Sequence, residues 1–159
     1  MTNPGLVLAA QEPRDVTGQT TSIAGMETLG IHHVGVAVAD LDEAIDTYRR
    51  LVGAELEHRE VVADQGVEAA LLRAGDSRVE LLAATVPDSP VGKFLAKRGP
   101  GMHHVAYEVA DVGAALAELA AAGAQLIDTE PRPGLFGLRV AFVHPDSVHG
   151  VLTEVVSRV

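Results

Sequence analysis

Ile31-His32-His33-Val34-Gly35-Val36-Ala37-Val38-Ala39-Asp40 decides the reading of this chain, because the chain repeats it. The second copy is Met102-His103-His104-Val105-Ala106-Tyr107-Glu108-Val109-Ala110-Asp111, 71 residues further along a chain of 159. Each copy is an apolar, β-prone run that opens on a His-His pair, ends in Asp and leads into a helix-like segment. A unit duplicated in this way predicts two tandem modules with half a site in each.

Working outward, Asp40 reads as a helix N-cap with Glu43 as its capping-box partner. Leu41, Ala44, Ile45, Tyr48 and Leu51 then fall at helical spacing, and Gly53 is a natural stop. Strands are expected at about 54–62, 67–74 and 78–84, the last two joined by the Gly75-Asp76-Ser77 turn. In the connector, Ser89 and Pro90 start a short helix through Arg98, which Gly99-Pro100-Gly101 ends. The second half repeats the order: strand 102–110, Asp111 as N-cap, helix 112–122 with Leu116 and Leu119 inward, and Gly123 as stop. Strands at about 124–128, 138–144 and 151–157 complete it. The fold class is therefore α+β, with β-α-β-β-β modules at about 29–84 and 102–159 around connector 85–101. Residues 1–28, rich in Thr, Gly, Pro and Gln without periodicity, read as a flexible extension.

Composition narrows the function. Hydrophobic residues make up 47% and aromatics only 3%, so the core must be built from Val, Leu and Ala. There is no cysteine, so a metal would have to be held by nitrogen and oxygen ligands. A net charge of −10 argues against a nucleic-acid partner. No apolar run approaches the roughly 20 residues of a membrane span. No basic segment precedes Leu6-Val7-Leu8-Ala9-Ala10, so a cytoplasmic protein is expected.

Strict strand alternation puts His32, Val34, Val36 and Val38 on one face, with His103, Val105, Tyr107 and Val109 as their counterparts. Those sets should pack on the helices. The opposite faces carry His33, Gly35 and Ala37, and His104, Ala106, Glu108 and Ala110. Their small residues leave room for a cavity. Each half also ends in a strand with one carboxylate in an apolar run, Val79-Glu80-Leu81-Leu82 and Leu152-Thr153-Glu154-Val155-Val156. Such a Glu is costly to bury unless paired or bound to a cation. Glu80 follows His33 by 47 residues and Glu154 follows His104 by 50, so two His and two Glu make an N2O2 set for a divalent metal. A single His at a strand start is ordinarily a satisfied core or surface group, and a single Glu in such a strand ordinarily faces solvent. The matched recurrence is what argues for a site, and pattern alone leaves both readings open.

From about Leu29 to Val156 the chain resembles the vicinal oxygen chelate (glyoxalase/bleomycin resistance) superfamily, and within it the methylmalonyl-CoA epimerases. Besides the two His-His runs, the resemblance rests on Gly75-Asp76-Ser77-Arg78-Val79-Glu80, Asp88-Ser89-Pro90-Val91-Gly92-Lys93-Phe94-Leu95, Arg132-Pro133-Gly134, Phe142-Val143-His144-Pro145 and His149-Gly150-Val151-Leu152-Thr153-Glu154. It implies that His33, Glu80, His104 and Glu154 hold a divalent metal, Co2+ first and Mn2+, Ni2+, Zn2+ or Mg2+ as alternatives. It also implies a curved mixed sheet around that metal cavity, an acyl-CoA substrate and a homodimer.

The implied reaction is epimerisation of methylmalonyl-CoA, or a close 2-alkylmalonyl-CoA, at C2. A metal-stabilised enolate forms when the C2 proton is taken, and the proton returns on the other face. Glu154 is the first candidate base. Some relatives carry a Gln-Gly-Val-x-Glu stretch whose Glu is a proposed base, but here the matching position in Gln65-Gly66-Val67-Glu68-Ala69 is Ala69. Glu68, a water held by Gln65, and Glu108 are the remaining options. Where relatives commonly have Lys after His-Pro, this chain has Asp146. Lys93, Lys97 and Arg98 on the connector helix, with Arg132 in the Pro-Gly loop, are the basic groups available to CoA phosphates. The competing readings are a glyoxalase-type isomerase, a non-catalytic small-molecule-binding module and, last, a ring-cleaving dioxygenase.

Overall fold

The structure, a computed structural model, describes residues 25–158. The expected flexible extension falls outside these residues up to 24. Met26 already packs against the core of the second module, and the Leu29 N–H donates to the Glu108 carbonyl at 2.8 Å.

The elements run β1 (Gly30–Ala37), α1 (Leu41–Val52), β2 (Glu55–Val62), β3 (Val67–Ala74), β4 (Ser77–Ala84), α2 (Pro90–Arg98), β5 (Gly101–Glu108), α3 (Val112–Ala121), β6 (Arg132–Pro133), β7 (Leu138–Val143) and β8 (Thr153–Arg158). The helix punctuation follows the sequence. Asp40 caps α1 through the Glu43 N–H at 2.9 Å, and Gly53 ends it at φ 69°. Ser89 caps α2 through Gly92, and Asp111 caps α3 through Ala114. Helix α1 buries Leu41 and Ile45 against Ala70, Leu72 and Leu81 of the sheet. Helix α3 buries Val112, Ala115 and Leu116 against Ala141 and Val155.

All eight strands form one sheet, in the order β2-β3-β4-β1-β5-β8-β7-β6. Each half contributes four neighbours, β1 pairing with β4 in parallel and β5 with β8 in parallel. The halves meet where β1 and β5 run antiparallel. With α1 and α3 packed on one face, the other is left to a cavity and to a small apolar cluster of Ala37, Val67, Ala69, Leu82 and Val91.

Two expectations are corrected. No strand forms over 124–128: only Leu126 bridges to Val143, and the last strand of the sheet is the two-residue β6. The Asp128 carboxylate takes the Phe142 N–H at 2.9 Å and Arg132 Nε at 3.1 Å, while the Ile127 and Asp128 N–H groups both donate to the single Phe142 carbonyl, so the segment bonds to β7 without a regular ladder. Secondly, His32 and His103 do not face the helices. The β1–β5 register skips between Ile31 and His33, and again between Gly35 and Val36, which leaves His103 as the unpaired residue on β5. Each skip is a β-bulge, and an extra residue in a strand cancels one step of the alternation. Both histidines of each pair therefore turn to the concave side.

Candidate metal centre

Four neighbouring strands, β4, β1, β5 and β8, set the site. Across them run two rows related by the internal repeat. In one, Glu80 stands beside Gly35 and Gly35 beside His104. In the other, His33 stands beside Ala106 and Ala106 beside Glu154. Each row is an imidazole and a carboxylate flanking a small residue. The bulky groups lean together over that gap, and a larger residue in the middle would hold them apart.

The rings meet. His33 Nε2 and His104 Nε2 are 3.0 Å apart. Glu154 Oε2 lies 3.2 Å from the first and 3.3 Å from the second. Glu80 Oε2 lies 3.5 and 3.4 Å from the same two nitrogens. All four residues are buried, at 2–6% exposure, so these charges are hidden from water. The three donor atoms of His33, His104 and Glu154 all fall within 4.8 Å of one another.

Protons alone satisfy this cluster poorly. Burial by itself would lower the His33 pKa, but the close carboxylates of Glu154 and Glu80 outweigh it and lift the ring to about 9. Burial would likewise raise the Glu154 carboxyl, yet close contact with His104 and His33 holds it well below the usual carboxylate range. Even so, Glu154 Oε2 lies close to both nitrogens but makes no hydrogen bond, and it is buried. Leaving a buried polar atom unpaired costs about 1–3 kcal/mol, more when it is charged. A divalent cation would use that oxygen, accept both Nε2 lone pairs and neutralise two carboxylates. The donor set of two imidazoles and two carboxylates therefore fits a divalent ion.

A cavity of about 660 Å³ opens over this centre. That is the size of a small-molecule site. Asp64, Gln65, Ser89 and Arg132 supply polar wall groups, and Val91, Leu135 and Phe142 supply apolar ones. Arg132 sits over the Phe142 ring at 5.2 Å and pairs with Asp128. His103 also lines the cavity, and burial together with the neighbouring His104 pushes its pKa down to about 4, so it is neutral.

The sequence-predicted residues separate into two groups. His33, Glu80, His104 and Glu154 come together, and Arg132 joins them at the wall. Lys93 and Lys97 are exposed on α2 and do not line the cavity; Lys93 faces Asp88 at 3.8 Å. Glu68 points away, toward α1, where Arg59 donates to it at 2.7 Å and also pairs with Asp42. Its neighbour Ala69 is the residue on the concave face. No bulge re-aims Glu68, because the β3–β4 register is unbroken from Val67 to Ala74, so its side chain stays on the face away from the cavity. Glu108 pairs with Arg158 at 3.6 Å and stays outside the cavity. The sequence reading missed Phe142 and the inward turn of His103. The signal for His103 was the doublet itself, whose second copy preserves a histidine at the bulge.

The glyoxalase/bleomycin resistance protein/dioxygenase superfamily matches residues 32–142. The ethylmalonyl-CoA/methylmalonyl-CoA epimerase of Cereibacter sphaeroides is 37% identical over 126 residues, spanning 78% of this chain and 94% of that protein. The crystal structure of methylmalonyl-CoA epimerase from Mycobacterium tuberculosis is 38% identical at a TM-score of 0.80, over 86% of this chain and 93% of that one. A methylmalonyl-CoA epimerase solved with methylmalonyl-CoA and NH4+ is 43% identical at a TM-score of 0.80, over 83% and 96% respectively. A shared sheet, shared length and this level of identity lead to one assignment: the chain belongs to the glyoxalase/bleomycin resistance/dioxygenase superfamily and, within it, to the methylmalonyl-CoA epimerase family.

Proposed function

We propose that this protein epimerises methylmalonyl-CoA, or a close 2-alkylmalonyl-CoA, at C2, with His33, Glu80, His104 and Glu154 holding a divalent ion. The observation that carries it is the buried convergence of one imidazole and one carboxylate from each half beneath a cavity, with Glu154 Oε2 left without a hydrogen bond. When bound, the ion supplies Lewis-acid polarisation of the thioester and carboxylate oxygens, which acidifies the C2–H bond. Two carboxylates cancel the charge of a divalent ion, so an anionic substrate meets a neutral centre.

The chain's own residues do the rest. Glu154 takes the C2 proton on one face, since its carboxylate lies at the cavity floor beside the donors that would hold the ion. On the other face no carboxylate stands at position 69. Of the options left by the sequence, Gln65 alone lines the cavity, and we assign it a water that gives a proton to the opposite face, the hydroxide so formed being neutralised through solvent by the proton held on Glu154. Val91, Leu135 and Phe142 give the cavity an apolar wall beside the centre. Arg132 binds an anionic group of the substrate at the wall. Lys93 and Lys97 serve the phosphates of the CoA that project beyond it. We take Co2+ as the ion and a homodimer as the working unit on the family resemblance, and metal analysis and sedimentation check both.

The decisive experiment follows deuterium entry at C2 of methylmalonyl-CoA in D2O, using metal-loaded protein, metal-stripped protein and Glu154→Gln. Loaded wild type should exchange, and the other two should not. Absence of exchange in the loaded wild type removes the assignment.

A further inference from the structure

The His-His doublets hold contacts that the proposed reaction does not use. His32 Nδ1 lies 2.8 Å from His33 Nδ1, and His103 Nδ1 lies 3.0 Å from His104 Nδ1. Adjacent strand residues ordinarily point to opposite faces, so their rings cannot touch. Here a β-bulge at each doublet turns both rings to the same side. The same device occurs twice, in sequence-equivalent places, and in each case the contact is made by the nitrogen that does not face the metal centre.

A nitrogen–nitrogen hydrogen bond carries one proton. If His32 were the donor, the proton of neutral His33 would sit on Nε2, and that nitrogen would have no lone pair to offer an ion. Metal binding therefore selects the opposite arrangement. His33 donates from Nδ1, and His32 accepts at its own Nδ1 and keeps its proton on Nε2. The same reasoning applies to His103 and His104. Resting on the metal reading above, we propose that His32 and His103 are positioning residues: each accepts the Nδ1–H of the neighbouring ligand and so fixes the tautomer and ring angle that aim its Nε2 at the ion. The surroundings suit this role. His32 is 6% exposed, and the Phe94 ring packs edge-on against His103 at 4.9 Å, so neither ring turns freely. In many metal proteins a carboxylate or carbonyl fills this place; a histidine fills it here without adding negative charge to a centre that already holds two carboxylates.

The test compares two substitutions at each position. His32→Leu and His103→Leu remove the acceptor, whereas His32→Asn and His103→Asn put an amide oxygen near the place of Nδ1. Zn2+ affinity is measured by competition with a chromogenic chelator, and the visible spectrum of the Co2+-loaded protein reports the ligand field. The Leu variants should bind Zn2+ about 10- to 100-fold more weakly and shift the Co2+ bands, with the Asn variants within about threefold of wild type. Leu variants at wild-type affinity, or Asn variants as weak as Leu, overturn the inference. Should the Leu variants fail to fold, nitrogen-15 tautomer assignment in Zn2+-loaded wild type decides it. Protons on Nδ1 of His33 and His104 and on Nε2 of His32 and His103 are expected, and the reverse pattern overturns it. A wild type that binds no Zn2+ removes this inference along with the metal reading. A wild type that binds Zn2+ but exchanges no C2 proton removes only the epimerase activity.

Discussion

Replacing Gly35 by alanine should disable the metal centre while leaving the fold standing. A Cβ built at Gly35 would lie 2.2 Å from His104 Cε1, 2.3 Å from Nδ1 and 2.8 Å from Nε2. Ordinary contact begins at 3.4 Å, so the ring would have to retreat by about 1.2 Å. It has little freedom to do so. His103 holds its Nδ1 at 3.0 Å, and the Phe142 ring packs edge-on at 5.8 Å. Overpacking a core position costs about 1–3 kcal/mol. A misplacement of about 1 Å at a reacting centre costs on the order of 100-fold in rate. Gly35→Ala should therefore lose about 1–3 kcal/mol in denaturant unfolding of the metal-free protein. Its Zn2+ affinity and C2 exchange rate should both fall on the order of 100-fold. Gly53→Ala is the control. Gly53 sits at φ 69° with nothing within 4 Å, so it should cost about 1 kcal/mol and leave metal binding alone. A Gly35→Ala protein that binds Zn2+ as tightly as wild type would show that His104 is not held where its ring now lies.

The metal-free protein should be most stable near pH 6.5. The folded His33 pKa, raised to about 9, gives stability that is complete below its unfolded value of about 6.5 and lost as pH climbs to 9, about 3 kcal/mol in all. The folded His103 pKa, pushed down to about 4, acts in the other window, where the unfolded chain takes up a proton first and stability falls between 6.5 and 4. Zn2+ affinity should instead rise with pH from 6.5 to 9, because the ion displaces the His33 proton; a flat stability profile over that range counts against the convergence of the four groups. Glu68→Gln should keep C2 exchange within about twofold of wild type, as expected of a surface substitution away from the site. Lys97→Glu should raise KM for the CoA ester without changing kcat, and an unchanged KM removes Lys97 from the CoA contacts. Asp111→Ala should cost about 1 kcal/mol through loss of the α3 cap, read by thermal unfolding, with metal affinity unchanged.

The local rules were written plainly in the chain. Asp40, Ser89 and Asp111 marked helix starts, Gly53 and Gly99 marked stops, and the observed helices follow them. The failure at 124–128 has a local cause too. Gln125-Leu126-Ile127 is strand-like in composition and does bond to β7, but Asp128 takes the Phe142 N–H with its carboxylate and shares the Phe142 carbonyl with Ile127, which breaks the regular spacing of a ladder. The reading of His32 and His103 failed for another reason. Alternation counts residues, and a bulge is a property of the register between two strands, which neither strand's own sequence states.

What the sequence determined by itself was the duplication, and with it one imidazole and one carboxylate in each half. Matched residue types in matched places follow from repetition, whatever the packing. Only the tertiary structure decided that the halves join along β1 and β5 in the register that sets Gly35 against His104 and His33 against Ala106. That register brings two nitrogens to 3.0 Å from residues 71 apart. It is fixed by burial of both sheet faces and by two bulges, because sliding one strand by a single residue would turn every one of its side chains to the wrong face.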